Sequence, residues 1–377
     1  MSPDSTALRR ALANRVTGGA KATDPAWQAV AAVPREVFLG QHLYRPAGTM
    51  WEPVHVSDTS EDEWLRMAYS DTTWVTQVNG VHAADAPGPV SGAPTSSSTL
   101  PSLVVRTMEV ADIGKGDRVL EIGTGTGYST ALLCHRLGDA GVVSVEYDAA
   151  LAAEAAEHLA AAGYAPTLVT GDGLLGYQAG ADYDAVISTC AVRSIPPSWL
   201  WQLRGGGSIT ATISGWMLAS GMIRLTIEED GTAIGRFTGD QVAYMLARPH
   251  DRPPRPMFYR HEGDTRPSQV NPDLLEDWTG CFVSQLAAPS AELVGTSDGV
   301  ALVDVATGSQ AWTERTSEGW MVHQDGPLRL WDQVEEALTV WLEAGSPDQA
   351  AFGMTVTDWD QVVWLGSADG PKWRLPT

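Results

Sequence analysis

Apolar and polar positions alternate differently in successive parts of the chain. Residues 7–44 carry apolar positions at helical spacing, with Asp24-Pro25 opening a second helix and Val33-Pro34-Arg35-Glu36 closing it. A polar, irregular stretch follows, broken by a helical pattern at 61–69. The segment 84–98 is dense in Pro, Gly and Ser and predicts a loop. From Pro101 the texture changes. A helix over 102–112 leads to the turn Gly114-Lys115-Gly116-Asp117, then to the apolar run Arg118-Val119-Leu120-Glu121-Ile122, a glycine loop, and a helix through Leu137. Strands are predicted at 142–146, 167–170, 184–188 and 208–213, with a helix at 150–162. Strands alternating with helices predict an α/β fold, a mostly parallel sheet with helices on both faces.

The run Arg248-Pro249-His250-Asp251-Arg252-Pro253-Pro254-Arg255-Pro256 interrupts this pattern and reads as a linker. The expected organisation is a first domain over 1–249, a Pro/Arg linker over 250–258, and a smaller α+β domain over 259–377. In that last region Leu330, Trp331, Val334, Leu338, Trp341 and Leu342 form an apolar stripe at helical spacing, and Gly345 stands where a helix would end.

Composition narrows the function. With 44% apolar residues, the 377-residue chain can bury a core without staples. Its three cysteines, Cys134, Cys190 and Cys281, lie far apart, which argues against a disulfide framework or a zinc knuckle and suits a reducing cytoplasm. No metal site is expected. No apolar stretch of signal or membrane length runs uninterrupted by charge, so a soluble cytoplasmic protein without membrane partners is expected. The net charge is −22. A nucleic-acid binder needs a basic footprint, which is missing here. The same field repels acidic substrates, so any carboxylate acceptor must be drawn by local charge.

The loop Glu121-Ile122-Gly123-Thr124-Gly125-Thr126-Gly127-Tyr128 joins a strand to a helix, where glycines let the backbone turn tightly and approach a ligand. A dinucleotide fingerprint G-x-G-x-x-G would place its third glycine at Tyr128, whereas Gly127 comes one place early. NAD and FAD are therefore disfavoured. Glu146 ends the second strand, followed by Tyr147, and a carboxylate there can accept the ribose hydroxyls of an adenosine. Asp172, in Gly171-Asp172-Gly173-Leu174, ends the third and can accept an adenine amino group. The expected cofactor-binding set is thus Glu121, Gly123, Thr124, Gly125, Thr126, Gly127, Tyr128, Glu146, Tyr147, Asp172, Gly173 and Leu174.

With these pieces in order, the sequence resembles the protein-L-isoaspartate O-methyltransferase family. The matching residues begin with Asp24-Pro25 and Val33-Pro34-Arg35-Glu36-Val37-Phe38, and continue through Arg118 to Tyr128 and Gly171 to Tyr177. They end with Tyr183-Asp184-Ala185-Val186-Ile187, Ile195-Pro196-Pro197 and Gln202-Leu203-Arg204-Gly205-Gly206-Gly207, so that the resemblance spans about residues 7–247. It implies a class I S-adenosyl-L-methionine-dependent methyltransferase with an N-terminal helical extension. S-adenosyl-L-methionine would be the cofactor, S-adenosyl-L-homocysteine the product, and a peptide or protein carboxylate the acceptor. The family carries a Ser two residues before a Pro, beside that carboxylate. Counting back from Pro101 the position holds Thr99, preceded by Ser96, Ser97 and Ser98. Either Thr99 or Ser98 then supplies the catalytic hydroxyl, with Ser97 beside the substrate.

The stretch between Tyr44 and Ser91 is longer than the family usually has, and the region after the linker is extra. Together with the Ser run and Trp74-Val75-Thr76-Gln77, these features resemble an actinobacterial branch acting on ribosomally made peptides of the graspetide, lasso or lanthipeptide type. That narrower resemblance implies a macrocyclised precursor peptide whose methylated Asp closes to aspartimide, with protein repair as the alternative. Asp71, Trp74 and Arg193 are further candidate substrate residues, Arg193 as a local cation. Two rivals are weaker. An adenine amino-methylase would want a Pro-Pro-aromatic motif at the fourth strand end, where Thr189-Cys190-Ala191 stands instead. A non-catalytic peptide-binding protein has no need of an intact loop with both carboxylates.

Overall fold

The computed structural model describes residues 5–260, 263–296 and 299–376. The chain forms two compact units, Met1–Thr189 with Trp201–Thr210, and Cys190–Leu200 with Ala211–Thr377.

The first unit opens with helices α1 (Thr6–Val16), α2 (Pro25–Ala32) and α3 (Arg35–Leu39). Asp24 caps α2, its carboxylate accepting from the Trp27 amide at 2.9 Å with Pro25 at the first helical position. Gly40, at φ 63°, ends α3. The helical expectation for 7–44 overran there, because β1 (His42–Ala47) follows at once. Then come β2 (Met50–His55), α4 (Glu61–Ala68), β3 (Trp74–Val78), β4 (Val81–His82) and β5 (Pro94–Ser98). These five strands form one antiparallel sheet, so the N-terminal extension is sheet as well as helix. β5 also corrects the loop expected over 84–98. Pro94 stands at its first position, where a missing N–H is tolerated, and the serines pair with β3.

Next are α5 (Pro101–Ala111), β6 (Val119–Ile122), α6 (Tyr128–Leu137), β7 (Val142–Glu146), α7 (Ala149–Ala161) and β8 (Thr167–Thr170). They are followed by β9 (Tyr183–Val192), α8 (Pro197–Trp201) and β10 (Leu203–Ser214). β6 lies between β7 and β9, and β7 pairs with β8, all parallel. The carboxyl ends of β6, β7 and β8 thus share one edge, which is where such sheets bind ligands. One core runs from Leu12, Val30 and Phe38 through Val105 and Met108 to Leu132, Val142 and Ile187. Each such side chain contributes about 1.5–3 kcal/mol when fully buried.

The second unit holds β11 (Ser220–Ile227), β12 (Ala233–Phe237), β13 (Asp264–Pro267), α9 (Trp278–Ala287), β14 (Ala291–Thr296), β15 (Gly299–Asp304), β16 (Gln310–Thr316) and β17 (Gly319–Asp325). It closes with α10 (Leu330–Glu343), β18 (Phe352–Val356), β19 (Gln361–Leu365) and β20 (Lys372–Arg374). β12 pairs antiparallel with β11 and β18, and β19 with β18 and β20, while β13-β17-β16-β15-β14 form a separate antiparallel sheet. Phe282 of α9 meets Phe237 and Phe352 edge-on. In α10 the predicted stripe is buried at Leu330, Trp331, Val334, Leu338 and Trp341, but Leu342 is exposed, one residue and 100° further round. Gly345, at φ 87°, follows the helix end. The Pro/Arg segment 250–258 lies inside this unit. Arg252 and Arg255 hold the buried Glu292 carboxylate at 2.7 and 3.2 Å, which fastens the segment to β14. Among the described residues, no helix is long and apolar enough to cross a membrane.

In the first unit the N-terminal sheet is tied to α7 by His82, whose Nε2 lies 3.1 Å from Glu154. That bond raises His82 above 6.5 and lowers Glu154 below 4.5. The His82 contribution to stability is full below 6.5 and fades as pH rises through the folded value. The Glu154 contribution is full above 4.5 and fades as pH falls. His82→Gln should therefore lower the melting temperature most between those two values, and less at alkaline pH. Calorimetric melting across that range checks this, and a difference independent of pH would count against the pairing.

Candidate active site

The loop after β6 is built on three glycines in the left-handed region, Gly123 at φ 98°, Gly125 at 54° and Gly127 at 90°. Its conformation is held from β7. Glu146 Oε2 accepts the Gly125 amide at 2.8 Å, and Oε1 accepts the Asp148 amide at 3.0 Å. Beneath the loop, the fully buried Glu121 accepts from Thr130 at 2.5 Å and from Ser144 at 2.7 Å, and Ser144 meets the Thr124 hydroxyl at 2.6 Å. Burial pushes the Glu121 carboxyl up, and the hydroxyls of Ser129, Thr130 and Ser144 partly offset it. Glu121 therefore supports the loop from below. Thr189 braces it further, donating to the Ile122 and Gly123 carbonyls at 3.0 and 2.5 Å. At the end of β8, Asp172 accepts the Leu174 amide at 2.9 Å. A Cβ on Gly173 would stand 2.5 Å from Ile122 Cγ2, so this turn lies flat on the strand carrying the loop. Tyr147 is 54% exposed and Leu175 68% exposed, leaving apolar surface open next to each carboxylate.

The serine strand reaches the same loop. A Cβ on Gly125 would lie 3.6 Å from the Ser97 carbonyl oxygen. β5 pairs with β3 in a register that sets Ser98 opposite Trp74 and Ser97 opposite Val75. Thr76 donates to Ser96 at 3.0 Å, and Gln77 accepts from Thr95 at 2.7 Å while donating to Asp148 at 3.2 Å. Ser98 is buried and its hydroxyl has no hydrogen-bond partner among the described residues. Asp71 accepts the Ser102 amide at 2.9 Å, capping the first turn of α5, and Thr73 accepts the Leu100 amide at 3.0 Å. Trp74 is half-buried and donates to the Met67 carbonyl at 2.9 Å.

Behind this segment sits Arg35, which the sequence pattern places in a helix-closing segment that also carries the family resemblance. It is fully buried. Nη1 donates to the carbonyls of Ala68 and Ser70 at 2.9 and 2.7 Å. Nη2 donates to those of Thr72, Ser98 and Thr99 at 2.8, 3.3 and 3.2 Å. The guanidinium also lies 5.5 Å from the centre of the Tyr128 ring. Burial lowers its pKa to about 10, with the Tyr128, Asp71 and Tyr69 groups acting the other way, so it keeps its charge at neutral pH.

The first unit thus brings together the loop, Glu146, Tyr147, Asp172, Gly173 and Leu174, with Ser97, Ser98, Thr99, Asp71 and Trp74 on the adjoining strands. Arg193 belongs to the second unit. Its guanidinium stacks on Trp216 at 3.7 Å and donates to the Pro289 carbonyl at 2.9 Å. The exposed Leu175 was not singled out in the sequence, where nothing separates it from Leu174.

A family profile described as protein-L-isoaspartate(D-aspartate) O-methyltransferase matches residues 64–236. A protein-L-isoaspartate O-methyltransferase of Ignicoccus hospitalis is 34% identical over 182 residues, covering 48% of this chain and 69% of its own. One of Archaeoglobus fulgidus is 34% identical over 207 residues, covering 54% and 79%. A solved structure described as a protein-L-isoaspartate O-methyltransferase is alike in fold. It has a TM-score of 0.53 at 19% identity, over 95% of this chain and 100% of that one. Coverage of that extent takes in the region after residue 258, so the expectation that this region is extra to the family does not hold for its fold.

Glu121 offers a test of how the loop is supported. Its folded pKa lies above the ordinary 4.5, so ionising it costs stability as pH rises through the folded value. Glu121→Gln removes that cost while retaining an acceptor for Thr130 and Ser144. The melting temperature of the variant relative to wild type should rise as pH increases above 4.5 through the folded value. A relative melting temperature that falls with pH would mean that the carboxylate is ionised and stabilising in place.

Proposed function

Since the chain belongs to the protein-L-isoaspartate O-methyltransferase family, we propose that it methylates an aspartyl-type carboxylate of a peptide or protein, using S-adenosyl-L-methionine and releasing S-adenosyl-L-homocysteine. The observation that carries this reading is the contact between two features. The Gly125 backbone held by Glu146 is the same backbone against which the Ser97 carbonyl lies. Donor and acceptor elements therefore meet at one residue.

The residues present fit the cofactor. Gly123–Gly127 offer bare backbone, Glu146 and Asp172 offer carboxylates for ribose hydroxyls and an adenine amino group, and Tyr147 and Leu175 offer open apolar surface. Bound S-adenosyl-L-methionine supplies a methyl group on a sulfonium. An acceptor carboxylate is already ionised at neutral pH, so the chain has no proton to remove. Its task is to aim one carboxylate oxygen and exclude water. A hydroxyl donating to one oxygen leaves the other free to react. Thr99 is the position indicated by Pro101, and the unpartnered hydroxyl of Ser98 supports the neighbouring residue in the same role.

Two acceptors are compatible with this chemistry. A linear isoaspartyl site, as in protein repair, is supported by what the relatives are called. A constrained Asp in a macrocyclised precursor is supported by the pairing of β3 with β5, because two of the segments behind that narrower resemblance, Trp74–Gln77 and the Ser run, lie side by side. On the constrained peptide the ester would close to aspartimide. The next backbone nitrogen bonds to the ester carbon, and methoxide leaves with the amide proton as methanol. A cytoplasmic location and a peptide partner belong to the same proposal.

Methyl transfer from labelled cofactor to a short isoaspartyl peptide and to a cyclised aspartyl peptide, followed by mass, decides between them. Transfer to the linear peptide supports repair. Transfer to the cyclised one alone, with loss of methanol, supports tailoring, and transfer to neither overturns the reading. Gly125→Val, a branched side chain at φ 54°, should abolish cofactor binding in calorimetry. Thr99→Ala or Ser98→Ala should lower kcat about tenfold or more, equivalent to about 1.4 kcal/mol, with cofactor affinity kept. Full turnover in both would place the acceptor elsewhere.

A further inference from the structure

We propose that Arg35 is a positioning residue for the acceptor carboxylate, fixing residues 98–99 through their carbonyl oxygens and supplying the local positive charge that admits an anion to this strongly acidic chain. The inference rests on the acceptor site proposed above.

Three observations carry it. First, the guanidinium is spent on geometry rather than on an ion pair. All five of its hydrogen bonds go to backbone carbonyls, on the two segments 68–72 and 98–99. Carbonyls take the Nη donors, leaving Nε without a partner among the described residues, and do not cancel the unit charge, so a net positive charge remains behind the segment. Second, the orientation of the peptides follows. The peptide bond between Ser98 and Thr99 is trans, and in a planar trans peptide the N–H points opposite to the carbonyl. With the Ser98 carbonyl turned to Arg35, the Thr99 N–H turns away from it. The positive end of that dipole faces the side opposite the guanidinium, and the two fields add. The next amide, that of Leu100, is held by Thr73. Third, the candidate cation Arg193 has its guanidinium stacked on Trp216 and bonded to the Pro289 carbonyl. A carboxylate approaching a chain of net charge −22 needs such a source.

The anionic group that counters Arg35 is Asp71, whose field acts on it and whose side chain caps α5. This gives the test two opposite signs. Arg35→Gln removes the charge, and Arg35→Lys keeps a charge but cannot serve both segments with a planar fork. Asp71→Asn keeps an acceptor for the Ser102 amide while leaving Arg35 less compensated.

The readout is KM and kcat for whichever acceptor peptide wild type methylates, isoaspartyl or cyclised aspartyl. Inhibition by the matching peptide carrying the side-chain amide in place of the carboxylate is measured alongside, with cofactor affinity by calorimetry. Arg35→Gln is expected to raise acceptor KM about tenfold and to erase the preference for carboxylate over amide, with cofactor affinity within about twofold. Arg35→Lys is expected to keep that preference but lose kcat, and Asp71→Asn to lower acceptor KM. A merely structural role would move cofactor affinity together with KM and leave the carboxylate preference intact, and that result overturns the proposal. If Arg35→Gln does not fold, Asp71→Asn decides alone, an unchanged or raised KM being the overturning result. Failure of wild type to methylate either peptide would overturn the parent reading, and this one with it.

Discussion

A buried guanidinium gathers the side of the first unit that we propose takes the acceptor. Among the described residues Arg35 has no carboxylate as a hydrogen-bond partner, and five carbonyl oxygens take that place. Removing a charge from water costs several kcal/mol unless its donors are satisfied, so these carbonyls are held wherever the guanidinium sits. Each bond to a charged donor contributes about 1.5–3 kcal/mol. The path of residues 68–72 and the end of β5 are consequently fixed from α3, through a guanidinium that lies behind them. Tyr128, the first residue of α6, packs on the same guanidinium, which brings the helix following the glycine loop into that arrangement.

The cofactor side follows a different logic, in which backbone is held by carboxylates. Glu146 takes the Gly125 amide, Asp172 takes the Leu174 amide, and Glu121 fastens the hydroxyls beneath. These three acids were legible from spacing alone, because strand ends in a parallel sheet lie at predictable positions and glycine marks the turns between them. Their roles were less legible. Glu121 and Glu146 both look like site carboxylates in the sequence, yet one is sealed beneath the loop and the other reaches its backbone. The pairing of Glu121 with Ser144 puts it on the same face as Glu146, two residues further along, so depth separates the two, Glu146 standing at its strand end and Glu121 one residue inside its own.

The acceptor side was harder to read for physical reasons. Ser and Pro have low strand propensity, so β5 passed for loop until its pairing with β3 was available. The partners of Arg35 at Ser98 and Thr99 lie 63 and 64 positions away, and no local pattern encodes a contact at that distance. Arg193 stands near a strand end, as a substrate-binding cation would, and its contacts with Trp216 and Pro289 could not be read from that position. In each case a long-range partner decided what the local sequence left open.

Gln77 has a consequence for how the two ligands would report on each other. One end of its amide is bound to Thr95 on the serine strand, and the other to Asp148, whose carboxylate also caps α7 just after Glu146. A single side chain therefore spans the strand proposed for the acceptor and the helix beside the proposed adenosine carboxylate. Whatever free energy of coupling it transmits is reciprocal by thermodynamic necessity. If a filled cofactor pocket tightens the grip on the peptide, the peptide must tighten the grip on the cofactor by the same factor. Slow release of the spent cofactor while a methylated product remains in place would be the kinetic face of that symmetry.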